Sequence, residues 1–173
     1  MKRILAIFTG LFLAVSAHAA DLTIPQMQAL KSAALADPTA SGYLSTGNDN
    51  ELAQWFNAPN GKIVWRTVIT PDLMREALVA GAAQLDGLTA GKRDSLFYLA
   101  AGDLQNTTTL RTALDDLTGS QATLKAAVVA AEKRTATKAE AILATGTGTT
   151  ASPATLAWEG WISIQDASAI RSQ

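Results

Sequence analysis

The chain has 173 residues, with 14 basic and 15 acidic side chains, one histidine and no cysteine. The missing cysteines exclude disulfides, thiolate nucleophiles, Cys-ligated zinc and iron–sulfur clusters. Charged residues make up 17% of the chain, below the ~25% of an average soluble domain. The near-neutral balance gives no footprint for nucleic acid, whose binding rests on neutralising phosphates.

Residues 1–20 have the pattern of an export leader. Lys2 and Arg3 make a basic start, Ile4 to Val15 is apolar apart from Thr9 and Gly10, and Ala17-His18-Ala19 fits a small-x-small cleavage site. The apolar run is shorter than the ~20 residues of a membrane span, and no later segment would act as a stop-transfer helix. Removal of the leader would leave residues 21–173, enough for one domain with its own core. That mature chain holds 12 basic and 15 acidic residues, a net charge of −3, and no histidine, because His18 lies in the leader. Ser-His-Asp triads, His-ligated zinc and non-haem iron sites are then excluded as well.

Past the leader, Ile24 to Ala36 carries apolar residues at helical spacing, with Thr23 as cap and Pro25 in the first turn. Asp37-Pro38 ends that helix, and a polar loop is expected from Ser41 to Asn50. Asn48 or Asp49 can cap a short helix bearing Leu52, Trp55 and Phe56, followed by a turn at Ala58-Pro59-Asn60-Gly61. Lys62 to Ile69 alternates and is β-branched, which predicts a strand. Thr70 and Pro71 open a helix to about Ala80, Thr89 to Ala101 forms another, and Asn106 to Leu117 a third around Leu110, Leu114 and Leu117. Ser120 to Ala144 is helical with a break at Thr135-Ala136-Thr137, where Thr137 and Glu140 make a capping box. Gly146 to Pro153 is a Gly/Thr/Ser loop, Ala154 to Ile162 a second strand, and Ser163 caps a last helix from Ile164 to Arg171.

These elements predict a mainly α, single helical domain with a minor two-stranded antiparallel β element, residues 62–69 pairing with 154–162. Trp65, Trp158 and Ile162 would pack one face against the helices, and Arg66 and Glu159 would meet across the other.

Few constellations suggest chemistry. Gly146-Thr147-Gly148-Thr149-Thr150 follows a helix C-terminus, the wrong end for phosphate, and lacks the Gly-Lys-Ser/Thr of a phosphate loop. The carboxylate pairs Asp115/Asp116, Asp49/Glu51 and Glu159/Asp166 fit capping and surface roles better than a hydrolytic cleft. Asn48-Asp49-Asn50-Glu51 lacks the ligand spacing of a calcium loop. Lys133, Arg134 and Lys138 form the one basic cluster, interleaved with Glu132 and Glu140 as on a salt-bridged helix face. Trp161 should point opposite to Trp158, towards solvent.

The block Lys133-Arg134-Thr135-Ala136-Thr137-Lys138-Ala139-Glu140, then Ala144-Thr145-Gly146-Thr147-Gly148, Ser152-Pro153-Ala154-Thr155-Leu156, Glu159-Gly160 and Asp166, together with Val64-Trp65-Arg66-Thr67, resembles a family of small, largely uncharacterised tailed-bacteriophage proteins encoded among virion structural genes. The resemblance runs from about Leu22 to Arg171. It implies a non-enzymatic structural or assembly protein that needs no cofactor and packs against copies of itself or other virion proteins. The expected contact surface is Gly146, Gly148, Pro153 and Trp161, with Lys133 and Arg134. No catalytic residue is carried over. Such proteins are cytoplasmic before assembly and do not normally carry an export leader. The leader instead suggests an exported periplasmic binding or adaptor domain, not associated with a membrane once cleaved. A carboxylate-based hydrolase ranks last.

Overall fold

The computed structural model describes residues 22–173, so the leader expected at 1–20 lies outside the described residues. Helix α1 (Ile24–Ala36) begins at a reciprocal cap in which the Thr23 hydroxyl accepts from the Gln26 N–H and the Gln26 side chain accepts from the Thr23 N–H. Asp37 both ends α1 and caps α2 (Pro38–Thr46), its carboxylate accepting from the amides of Thr39 and Ala40 at 2.9 and 3.0 Å. The loop expected at 41–50 is therefore largely helix. Its Ser and Gly residues have weak propensity, but a capped N-terminus with Pro at the first position and burial of Ala40 outweigh that. Helix α3 (Asp49–Asn57) follows, capped by Asn48 as expected.

Strand β1 (Pro59–Trp65) leads through β2 (Val68–Ile69) into α4 (Pro71–Ala80), α5 (Ala82–Leu85), α6 (Ala90–Leu99), β3 (Leu104–Gln105), α7 (Thr108–Thr118) and α8 (Ala122–Ala131). The chain returns as β4 (Lys133–Thr137), α9 (Lys138–Leu143) and α10 (Ile164–Ser172). The fold is mainly α with small antiparallel sheets, as expected, but the strand pairing differs. β1 pairs with β4, placing Ile63 opposite Thr135, Val64 opposite Arg134 and Trp65 opposite Lys133. β2 pairs with β3. Residues 154–162 meet β1 only at a parallel bridge between Val64 and Ala154, and Thr155 bridges Thr145.

The misassignment has a local cause. Lys-Arg-Thr-Ala-Thr shows no apolar alternation, so the break expected inside a helix gives no sign of being a strand. The capping box at its end is as expected: Thr137 N–H donates to the Glu140 carboxylate at 2.9 Å, and Glu140 N–H to the Thr137 hydroxyl at 3.3 Å.

Because Trp65 and Lys133 are opposite each other, residues 66–132 leave the ribbon and return at one rung, where Arg66 N–H donates to the Glu132 carbonyl at 2.9 Å. The molecule thus has an outer lobe, residues 22–65 and 133–173, and an inserted lobe, residues 66–132. The outer core joins Leu30, Leu52, Phe56, Trp158, Ile162 and Ile170. The inserted core joins Ile69, Met74, Leu96, Leu114, Leu124 and Val128. Val64, Ala136, Ala141 and Ala154 make a small cluster at the ribbon itself. Trp158 and Ile162 pack against helices as expected, but Trp65 is only half-buried and Val64 takes the fully buried place. The strand breaks at Arg66-Thr67, so the period-2 phase read across Lys62 to Ile69 is not kept.

Candidate functional site

The expected surface residues fall into different environments. Gly146 and Gly148 occupy positive-φ positions (107° and 71°) that favour glycine. The loop they shape is fastened to the free edge of β1, where Ile63 N–H donates to the Gly148 carbonyl at 2.8 Å and Ala154 N–H to the Ile63 carbonyl at 2.9 Å. Gly148 is buried and Pro153 half-buried there. Lys133 crosses to the same loop, its ammonium donating to the Thr150 carbonyl at 3.0 Å. Trp161 is 63% exposed, as the alternation with Trp158 predicts.

Arg134 turns inward. It grips Glu140 with two parallel hydrogen bonds of 2.7 Å and reaches Glu159 at 2.6 Å. Gly160 N–H also donates to the Glu140 carboxylate, at 3.4 Å. Burial alone would raise the Glu140 carboxyl, but the bonds from Arg134 and the Thr137 amide hold it below the usual glutamate value. The Arg134 guanidinium is correspondingly raised, chiefly by its hydrogen bonds to Glu140. The Arg66–Glu159 pair expected from the strand register is replaced by this cluster. With β4 rather than 154–162 beside β1, Arg134 is the cation that reaches Glu159, and Arg66 Nε donates to the Lys133 carbonyl at 3.1 Å. The salt-bridged helix face expected of the basic cluster is not formed: Arg134 alone makes ion pairs, from a strand and turned inward, while Lys133 donates to the Thr150 carbonyl and Lys138, at the start of α9, lies over the Trp55 ring.

The other carboxylates have structural partners. Asp49 holds Arg171 through bonds of 2.7 and 2.9 Å, tying α3 to α10. Asp115 pairs with Lys125, and Asp166 accepts from Ser163 in the cap of α10. Among the described residues no group of three His, Cys, Asp or Glu side chains could hold a metal ion, and no helix is long and apolar enough to cross a membrane.

Two surfaces lie outside the sequence expectations. The first is a cleft of about 330 Å³ where the lobes meet, lined by Trp65, Arg66, Asn106, Thr107, Thr108 and Arg111 together with Gln105, Thr155 and Leu156. Asn106 fixes its floor, its amide donating to the Glu132 carbonyl at 2.9 Å and its backbone N–H to the Thr67 carbonyl at 2.9 Å. Arg111 donates to the Asn106 carbonyl at 2.7 Å and to the Thr108 hydroxyl at 2.9 Å, and lies 4.3 Å from the Trp65 ring centre. Lys133 lies 5.1 Å from the same ring. The Glu132 side chain, 2% exposed as a residue, is buried behind this wall. Burial pushes its carboxyl up to about 7, opposed by Arg111 and Lys133 and assisted by Asp115. One signal for the cleft was present in the sequence: Arg111 is a cation in the opening turns of a helix, where the macrodipole disfavours it.

The second surface is an apolar groove on the inserted lobe between α4 and α6, lined by Leu78, Val79, Phe97, Ala100 and Ala101 with Arg75 at its rim. Val79 is 76% exposed and Phe97 about half exposed, and Tyr98, next along α6, is 82% exposed.

The chain was compared with known protein families, with curated proteins and with solved structures, and none of the three comparisons gave a match.

Proposed function

We propose that the protein is a non-enzymatic structural or assembly component, of the kind implied by its resemblance to tailed-phage virion-module proteins, and that it acts by packing against copies of itself or neighbouring virion proteins. The observation that supports this reading is the apolar groove on α4 and α6. Large side chains left this open on a small domain mark contact surfaces more often than chance exposure does. Trp161 and the half-exposed Ile164 beside it offer a second apolar contact on the outer lobe, within the surface expected from the sequence.

Sedimentation velocity of the full chain from micromolar to several hundred micromolar tests this. Reversible association is expected, and Val79→Asp with Phe97→Asp should abolish it without unfolding the protein. A strict monomer throughout that range, also absent from purified particles, would overturn the reading.

A second reading, an exported binding or adaptor domain, draws support from the cleft between the lobes. N-terminal sequencing of the protein from an expressing cell separates the two. A mature chain starting near Asp21 favours export, and an intact Met1 favours assembly inside the cell.

A further inference from the structure

The cleft at the junction of the lobes has the chemistry of an oxyanion site. We propose that it binds a phosphate or carboxylate group carried on a small ring-bearing molecule, with Arg66 and Arg111 holding the anion and Trp65 and Leu156 meeting the apolar body.

The argument begins with Arg66. Its Nε is used by the Lys133 carbonyl, but its two terminal amines make no hydrogen bond among the described residues. It forms no ion pair there either, although Glu159, which Arg134 holds, lies near enough to act on its charge. An arginine lining a cleft with both terminal amines of its donor fork unused is matched to a planar or tetrahedral oxyanion. Arg111 brings a second guanidinium to the same cleft, held in place by Asn106 and Thr108, so little ordering is needed on binding.

The remaining lining agrees. No Asp or Glu side chain lines the cleft. The hydroxyls of Thr107 and Thr108 stand at the N-terminus of α7, an end whose dipole favours negative charge. Gln105 adds a side-chain amide that makes no hydrogen bond among the described residues. The volume, about 330 Å³, lies at the lower end of small-ligand sites. Trp65 and Leu156 supply the apolar surface such sites combine with a few convergent polar groups.

The test uses phenyl phosphate, benzoate and inorganic phosphate as probes on the full chain, followed by two-dimensional NMR of backbone amides and tryptophan indoles. Saturable shifts centred on Trp65, Asn106, Thr107 and Thr108 are expected with phenyl phosphate or benzoate. Inorganic phosphate should bind at the same residues more weakly, because it lacks the ring. Arg66→Gln should weaken binding at least tenfold, Arg66→Lys less, and Lys125→Gln, outside the cleft, should leave it unchanged. Shifts that do not saturate, that centre on other residues of the wild-type chain, or that persist at full strength in a folded Arg66→Gln variant would each overturn the proposal.

Discussion

The two lobes are held by different kinds of interaction. The outer lobe joins residues far apart in sequence through directed polar bonds. Asn57 exchanges two bonds with the backbone of Ile162, at 2.8 and 2.9 Å. Asp49 holds Arg171, Lys31 donates to the Arg171 carbonyl at 2.8 Å, and Arg134 joins Glu140 to Glu159. Three of its helices begin at capping boxes. In the inserted lobe the N-cap residues of α4, α5, α6 and α8 give no side-chain hydrogen bond, although Gln84 accepts from the Thr123 and Leu124 amides at the start of α8. Its ion pairs Arg75–Asp72, Arg93–Asp86 and Lys125–Asp115 lie near the surface, where such pairs contribute little. It is held mainly by apolar burial, which is strong but undirected. Directed bonds fix the register of the outer lobe, and both lobes present apolar side chains to solvent, Trp161 and Ile164 on the outer one and Val79, Phe97 and Tyr98 on the inserted one.

Core truncation should separate the lobes most strongly. Phe56→Ala should cost about 4 kcal/mol and lower hydrogen-exchange protection mainly in the outer lobe, whose core holds it. Leu124→Ala should cost about 3 kcal/mol and open mainly the inserted lobe. Equal loss of protection everywhere in Leu124→Ala would remove the distinction. Gly81 adds a check on this packing: a Cβ there would lie 2.6 Å from the Leu124 Cα, so α4 and α8 approach each other at backbone distance.

Arg134→Met comes next. It leaves the buried Glu140 without its cation, and a loss of about 3 kcal/mol is expected at neutral pH. In the wild type the Glu140 carboxyl lies below its unfolded value. Its contribution is therefore complete above the unfolded pKa and is lost as pH falls through the folded one. The penalty in Arg134→Met should shrink in acid, and urea melts at pH 7 and pH 3.5 measure it. A penalty that does not change with pH would separate Glu140 from the effect.

Glu132, at the junction, has the opposite sign. Its folded pKa, about 7, lies above the ordinary value of 4.5. The folded state thus holds its proton where the unfolded chain has released it, and stability falls as pH rises between those values. The charges facing it are Arg111 and Asp115 on α7 and Lys133 on β4. Glu132→Gln should be nearly neutral at pH 4.5 and stabilise by on the order of 2 kcal/mol at pH 8. A pH-independent effect would sink this assignment.

The smallest contrast is between caps. Thr137→Ala in the outer lobe should cost ~1 kcal/mol, whereas Thr89→Ala, whose side chain caps nothing, should cost only a few tenths of that. Equal melting temperatures for the two variants would contradict it.

Legibility followed the range of the interaction. The boundaries at Thr23, Asn48, Thr137 and Ser163 were readable because capping is settled within four residues. Helix α2 was hidden because its stability comes from Asp37 and from packing rather than from Ser41, Gly42 and Ser45. β4 was hidden because its partner is some seventy residues upstream and its own residues show no period. The cleft was the least legible, since Arg66 and Arg111 meet only once β2 pairs with β3 and the insert closes on Glu132. Trp161, by contrast, followed from alternation with Trp158 alone.

The rung at which the insert leaves and re-enters also sets a sequence of assembly. β1 and β4 are far apart along the chain until residues 66–132 become compact, so closing the ribbon first would carry the full loop entropy. A collapsed insert brings Arg66 and Glu132 together and turns that long closure into a short one. The ribbon therefore zips late, and weakening it speeds unfolding while leaving the refolding rate nearly untouched.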